Sequence, residues 1–278
     1  MAKQFYQSGV AIPVHHAYLE RPRVDALLAE AVRSPVVVVC AGAGYGKTRA
    51  VYNYLRNLDG VFTAWVQLSE RDNLCERFWE NFTHTVAHHD AALAAKLAEN
   101  GFPRNEAEYE KYVRIPEEGI QPHERHVVVY DDFHLLHDKD VLRFIERCVH
   151  TPFPNIVTIF ISRTEPAINL IDLFSKGMVV NITENELRFT ENELAEYLRM
   201  QGLAITPQGQ ANIYADTEGW AFAINLVALS LKKNPTHEGY ARAAMRLNIF
   251  RLLESEVFLA VSERLQKFLV RLSLIDHL

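Results

Sequence analysis

PVVVVC (35–40) is a short run of mostly β-branched residues that stops at glycines 42, 44 and 46, and a helical stretch then runs from Lys47 to about Asn57. The apolar run is too short for a helix and rich in valine, so it reads as a buried strand. A glycine-rich loop between a buried strand and a helix constrains this chain more than any other feature. Glycines let successive N–H groups turn toward one point, and the helix that follows adds the positive end of its dipole. The combination suits an anion. Within AGAGYGKT (41–48), Lys47 is placed for the β- and γ-phosphates of a nucleotide and the Thr48 hydroxyl for Mg²⁺. The strict pattern has glycine where this chain has Ala41, a small departure. A glycine turn that binds nothing is the bland alternative, and the Gly-Lys-Thr ending weighs against it.

A second apolar run, HVVVYDD (126–132), ends in two acids. Ligands of open α/β sheets sit at the carboxyl ends of strands, which is where Asp131 and Asp132 fall. Asp131 suits Mg²⁺ held through water, and Asp132 suits polarisation of an attacking water. Arg163 ends a further run, IVTIFISR (156–163), and can read a γ-phosphate with paired hydrogen bonds. VFTAWVQL (61–68) and MVVNIT (178–183) complete five strand candidates. Helix-period segments separate them, the signature of a parallel sheet with crossover helices. Residues 74–99 read as helical, with Leu74, Phe78, Phe82 and Val86 on one face. Residues 100–125 hold Gly101, Pro103, Pro116, Gly119 and Pro122, and read as an irregular insertion with a short helix.

The pattern changes after Asn185. Thr190 and Glu193 form a capping box at the head of a helix. Further helices are expected near Pro207, Gly219 and Thr236, without an intervening strand. The last stretch, from about Glu254, is amphipathic and ends at Leu278 without a helix stop signal, which suggests that more protein follows.

Composition excludes several classes. Lys plus Arg number 29 against 35 Asp plus Glu, a formal charge of −6, so the chain has no overall electrostatic footprint for a nucleic-acid backbone. The longest strongly apolar run, Val36 to Ala43, falls far short of the ~20 residues of a membrane span. Cys40, Cys75 and Cys148 are odd in number and widely spaced, against a disulfide framework or a zinc knuckle. A soluble protein of the reducing cytoplasm is expected. His84, His88 and His89 with Asp90 look metal-like, but Thr85 breaks the His-Glu-x-x-His pattern, and a solvated helix face is the simpler reading. His134, His137 and Asp138 are expected to pack a loop. Trp220 reads first as a core aromatic.

In order along the chain, LERPRVDALL (19–28), PVVVVCAGAGYGKT, AWVQLSERDNLCERFWENF (64–82), VVVYDDFHLL (127–136), IFISRTEP (159–166), NELRFTENELAEYL (185–198) and TEGWAFAINLVALSL (217–231) make a specific set. This set resembles the nucleotide-binding module of MalT-like, ATP-dependent LuxR-family transcriptional regulators, of the STAND class of signalling ATPases. The resemblance implies an ASCE/NB-ARC-like P-loop NTPase sheet with flanking helices, then an all-α domain and the start of a winged-helix domain. Its boundaries are a nucleotide-contacting segment at 1–34, the NTPase domain at 35–186, the helical domain at 187–252 and the winged helix from 253 to 278. It further implies ADP or ATP with Mg²⁺ as ligands, ADP holding the module closed and ATP favouring self-association. Arg21 and Pro22 are assigned to the adenine side. Gly44, Tyr45, Gly46, Lys47, Thr48 and Arg49 are assigned to the nucleotide, with Thr48 and Asp131 to the metal. Gly219-Trp220-Ala221 stands where related modules carry Gly-x-Pro, so the Trp220 contact departs from the pattern at Ala221. No guanine-reading Asn-Lys-x-Asp stretch is present. Family members continue into an inducer-binding sensor and a DNA-binding helix-turn-helix, which implies an inducer and DNA recognised outside this region. A steadily working AAA+-like remodelling ATPase, a P-loop kinase and a nucleotide-stabilised scaffold are the alternatives.

Overall fold

The computed structural model describes residues 18–121, 123–151, 153, 155–233 and 265–267. Helix α1 (Pro22–Ala31) begins with Pro22 in its first turn, where a missing N–H costs nothing. There follow β1 (Val36–Cys40), α2 (Lys47–Arg56), β2 (Val61–Gln67), α3 (Cys75–Ala87), α4 (Ala91–Asn100), α5 (Glu106–Gly119), β3 (Arg125–Asp131), α6 (Lys139–His150), β4 (Ile156–Ser162), α7 (Ile171–Ser175) and β5 (Val179–Thr183). All neighbouring strands pair in parallel, in the order β2-β3-β4-β1-β5. Strand β4 therefore lies between β1 and β3, pairing Val38 with Phe160 on one side and Val128 with Thr158 on the other.

Period-2 alternation splits the strand residues between two cores. Val37 and Val39 of β1, Trp65 of β2, Val129 of β3 and Ile159 and Ile161 of β4 pack with Leu28 of α1 and Ala50, Val51 and Leu55 of α2. Val36, Val38, Val66, Tyr130 and Phe160 face the other way, against Phe78 and Phe82 of α3, Leu93 of α4, Tyr112 of α5 and Phe144 of α6. Both faces are covered, as a parallel sheet of near-continuous apolar strands requires.

One expectation is refined and another corrected. The helical stretch over 74–99 is two helices, because Asp90 caps a new one: its carboxylate accepts the Leu93 N–H at 2.8 Å. The 100–125 insertion contains a helix of 14 residues, with Pro116 buried inside it. Asn105 caps its start, and the Pro116 carbonyl still accepts the Ile120 N–H at 2.9 Å.

The described residues up to Leu187 form one compact unit and those from Arg188 a second. A single turn, α8 (Glu184–Leu187), ends the first. In the second lie α9 (Glu191–Met200), α10 (Pro207–Thr217) and α11 (Ala221–Lys233). Thr190 and Glu193 close the expected capping box at the head of α9. The helix expected near Thr236 lies outside the described residues, as does the winged-helix start apart from the helical turn at 265–267. Among the described residues, no helix is long and apolar enough to cross a membrane.

Gly219 ties the helical unit together. Its carbonyl accepts the Phe189 N–H at 2.8 Å, its φ is +77°, and a Cβ there would stand 2.4 Å from the Phe189 carbonyl oxygen. Gly202 shares the positive φ, at +75°, with open space around it. Gly202→Ala should therefore lose only the backbone preference, about 1–2 kcal/mol. Gly219→Ala should lose clearly more, because backbone must move; urea unfolding of the two variants tests the difference.

Candidate functional site: a phosphate loop facing two acids

The loop after β1 turns through two left-handed glycines, Gly44 at φ +78° and Gly46 at φ +79°. Gly46 is the N-cap of α2, so Lys47 and Thr48 open the helix. This helix end has no side-chain cap and no acidic residue in its first turn. Helix starts leave N–H groups without intrahelical partners, and a bare glycine cap presents them to an anion. The Lys47 side chain is buried, and its Nζ donates to the carbonyls of Ala41 at 2.7 Å and Gly42 at 2.9 Å. An ammonium has three donors, so the same tether can aim one at a ligand. Burial pushes Lys47 below its ordinary pKa and the Arg163 charge acts in the same sense, opposed by Asp132 and Asp131.

Strand alternation decides what Lys47 and Thr48 meet. Asp131 lies in step with Val127 and Val129, whose face packs against α2. It therefore reaches Thr48, whose Oγ1 donates to Asp131 Oδ1 at 3.1 Å across 83 residues of sequence. The same oxygen accepts the Asp132 N–H at 3.0 Å. Asp131 is 1% exposed, and its pKa is raised to about 6. Burial is the main cause and Asp132 adds to it, while hydrogen bonds from Thr48, the Asp132 backbone and the Trp65 side chain oppose. Asp132 has left the strand: it sits in the left-handed region, φ 58° and ψ 40°, a conformation that Asp tolerates better than most residues. Its Oδ2 accepts Gln67 Nε2 at 2.7 Å.

Arg163 follows β4, exposed, at the same carboxyl edge of the sheet, and its charge is felt at Lys47 and at His134. Arg21 is the N-cap residue of α1 and is buried, and its Nη2 donates to the Leu187 carbonyl at 2.9 Å. Pro22 beside it is exposed. The Arg49 guanidinium lies 5.2 Å from the centre of the Tyr18 ring. Tyr45 is half-buried, with its ring beside Gly42. Trp220 belongs to the helical unit, where it packs on the cluster of Ala223, Val227 and Leu231 and lies 5.4 Å from the Phe222 ring. His137 and Asp138 pack their loop as expected, both backbone N–H groups donating to Asn73 Oδ1 at 2.7 and 2.9 Å. His84 on α3 and His88 at its C-cap are exposed, and among the described residues no third ligand stands with them.

Sequence reading missed Gln67, Trp65 and Ser162. Gln67 ends β2 at the same edge as the acids, a polar strand end that position alone could have flagged. Trp65 is fully buried on the α2 face below Asp131. Ser162 is fully buried just before Arg163, and its carbonyl accepts the Ala41 N–H at 3.3 Å. Nothing in a strand of apolar residues distinguishes these two from core.

The donors fit a nucleotide with a hard cation. A hydroxyl and a carboxylate, bridged by one hydrogen bond, are the oxygen ligands Mg²⁺ takes alongside water and phosphate. The uncapped helix start and the buried ammonium are cationic, as phosphate requires. Asp131 also burdens the fold. Its native pKa of about 6 lies above its ordinary 3.8, so stability is full below the lower value and falls as pH rises to the upper. With chelator present at pH 8, Asp131→Asn should raise stability by up to about 3 kcal/mol and flatten its fall between about pH 4 and 6. Urea melts across pH measure both.

No family model matches the chain. It is 26% identical over 275 residues to the HTH-type transcriptional regulator MalT of Vibrio cholerae and 28% identical over 273 residues to MalT of Serratia proteamaculans. These alignments cover 94% and 92% of this chain but 30% and 29% of the regulators, so the chain spans about 30% of the length of the curated relatives it matches. Among solved structures, it is similar to a Walker-type ATPase of Pyrococcus abyssi, with a TM-score of 0.57 and 14% identity over 91% of this chain and 77% of that one. The Orc1 protein of Aeropyrum pernix, solved in complex with DNA, gives a TM-score of 0.52 and 16% identity over 94% of this chain and 73% of its own. At such identities the likeness is one of fold. The chain is thus a parallel α/β module with the fold seen in P-loop ATPase structures, followed by a helical region, and a distant homologue of the MalT regulators.

Proposed function

We propose that the chain is an adenine-nucleotide switch that rests with ADP, is activated by ATP and hydrolyses ATP slowly, within a signal-responsive LuxR-family transcription regulator. The observation that carries the reading is the meeting of Lys47, Thr48, Asp131 and Asp132 at one sheet edge, in a homologue of MalT. Gly44 and Gly46 turn the loop N–H groups to the phosphates, and Lys47 adds its ammonium. Thr48 and Asp131 hold Mg²⁺, which when bound neutralises charge on the phosphates. Arg163 reads the γ-phosphate from the end of β4. Arg21, Pro22, Tyr45 and Arg49 serve the base and ribose side. Asp132 accepts the proton of the attacking water at an acceptor site that Gln67 Nε2, bound to Oδ2 at 2.7 Å, leaves free, and Gln67 holds the carboxylate in place.

The switch needs a differential of about 5 kcal/mol between ATP and ADP for a near-complete change of state. Hydrogen bonds to charged groups contribute roughly 1.5–3 kcal/mol each, so Lys47 and Arg163 acting on one γ-phosphate supply much of it. Since the chain spans about 30% of its relatives, the inducer sensor and the helix-turn-helix that reads DNA are assigned to further segments of the regulator. ATP-driven self-association is the output, and this acidic region leaves DNA contact to those segments.

Continuous turnover is the second reading, favoured by Asp132 beside Asp131 on an ATPase fold. Nucleotide released by denaturing the purified protein separates the two. Near-stoichiometric ADP supports the switch; steady ATP consumption without inducer, abolished by Asp132→Asn, supports turnover. Under either reading Lys47→Ala should weaken nucleotide binding roughly 10- to 100-fold by calorimetry. Asp132→Asn should keep binding while slowing hydrolysis by at least about 100-fold.

A further inference from the structure

At the opposite edge of the sheet from the phosphate loop, the amino ends of β1 to β4 and the helices α3 to α6 surround a cavity of about 110 Å³. Its inner wall is apolar: Phe82, Leu93, Tyr112, Val128, Tyr130 and Ile145. The polar groups deep in this wall engage each other, with Cys148 Sγ 3.6 Å from the Tyr112 hydroxyl. Phe62, His89 and His126 form the partly exposed edge, Phe62 stacking on His126 at 5.1 Å and meeting His89 edge-on at 6.0 Å.

Protein interiors leave few voids larger than a water, and an apolar void stays dry. Cavities of about 150 Å³ with such walls admit benzene. A chain without use for the space could close it with one larger side chain at Ala64, which also lines it. His126 at the edge is turned to the protein: its Nε2 is buried, with the Glu124 carboxylate 3.6 Å away. Burial holds His126 below its ordinary pKa, with Glu124 opposing. The cavity also adjoins the strand of the acids, since Val128 and Asp131 both belong to β3.

We propose that this cavity is a binding site for a small apolar molecule the size of a single aromatic ring, seated among Phe82, Leu93 and Val128. No residue of the phosphate loop takes part, so the proposal stands or falls apart from the nucleotide reading.

The test uses the whole chain with toluene, phenol and benzyl alcohol as probes. Saturable binding by calorimetry is expected, with methyl NMR shifts confined to Leu93, Val128, Ile145 and their neighbours. Ala64→Leu should fill the space, keep or raise the melting temperature and weaken all three probes at least about tenfold. Toluene should bind more tightly than phenol or benzyl alcohol, because the wall offers their hydroxyl groups no partner. Lys47→Ala should leave every probe unchanged. The proposal is overturned if no probe saturates with the wild-type chain, or if shifts map elsewhere. Unaltered binding in a folded Ala64→Leu variant also overturns it. Should that variant fail to fold, the wild-type shift map alone decides.

Discussion

A parallel sheet brings the carboxyl ends of all its strands to one edge, and this chain places its chemistry there. The hydrogen bond from Thr48 to Asp131, 3.1 Å long, joins the start of α2, which follows β1, to the end of β3 although β4 runs between those strands. It exists because β3 alternates. Val127 and Val129 pack on the α2 side, so Asp131 must share that side and Tyr130 must not. A one-residue slip of β3 would exchange the two and bury a phenol where the carboxylate belongs. The apolar register of the core and the polar register of the site are one constraint.

That constraint leaves charges in poor surroundings. Asp131 and Lys47 both sit where burial disfavours their charged forms, and each is pushed toward neutrality. The nearest like charges, Asp132 for one and Arg163 for the other, push the same way. A polyanion with a divalent cation supplies what both lack, a cation beside the acids and an anion beside the lysine. Stability given up here can be recovered on binding, which couples ligation to the order of the sheet edge.

Much of this was legible in the sequence because the signals are local. Five apolar runs gave five strands, and the Gly-Lys-Thr ending located the helix start at Lys47. Asp131 and Asp132 were found because they end a strand. What escaped depended on partners distant in sequence or on a competing local signal. Asp90 read as part of a helix face although it is a cap, and Pro116 read as a breaker although its carbonyl still serves the helix. Gln67 has meaning only across the sheet from Asp132, and Ser162 only beneath the loop. The cavity at the amino edge is invisible in sequence, because a void is a property of packing and not of any residue.

The three tryptophans are distributed so that they report on different parts of the molecule. Trp65 lies within the core directly beneath Asp131, Trp79 is locked in the α3 layer with its indole N–H donating to the Leu97 carbonyl, and Trp220 packs in the helical unit. Replacing Trp79 and Trp220 by Phe leaves a single indole, under the acids, that can be excited apart from the tyrosines. Its emission then reads the charge on Asp131 without a label, so the site carries its own optical gauge.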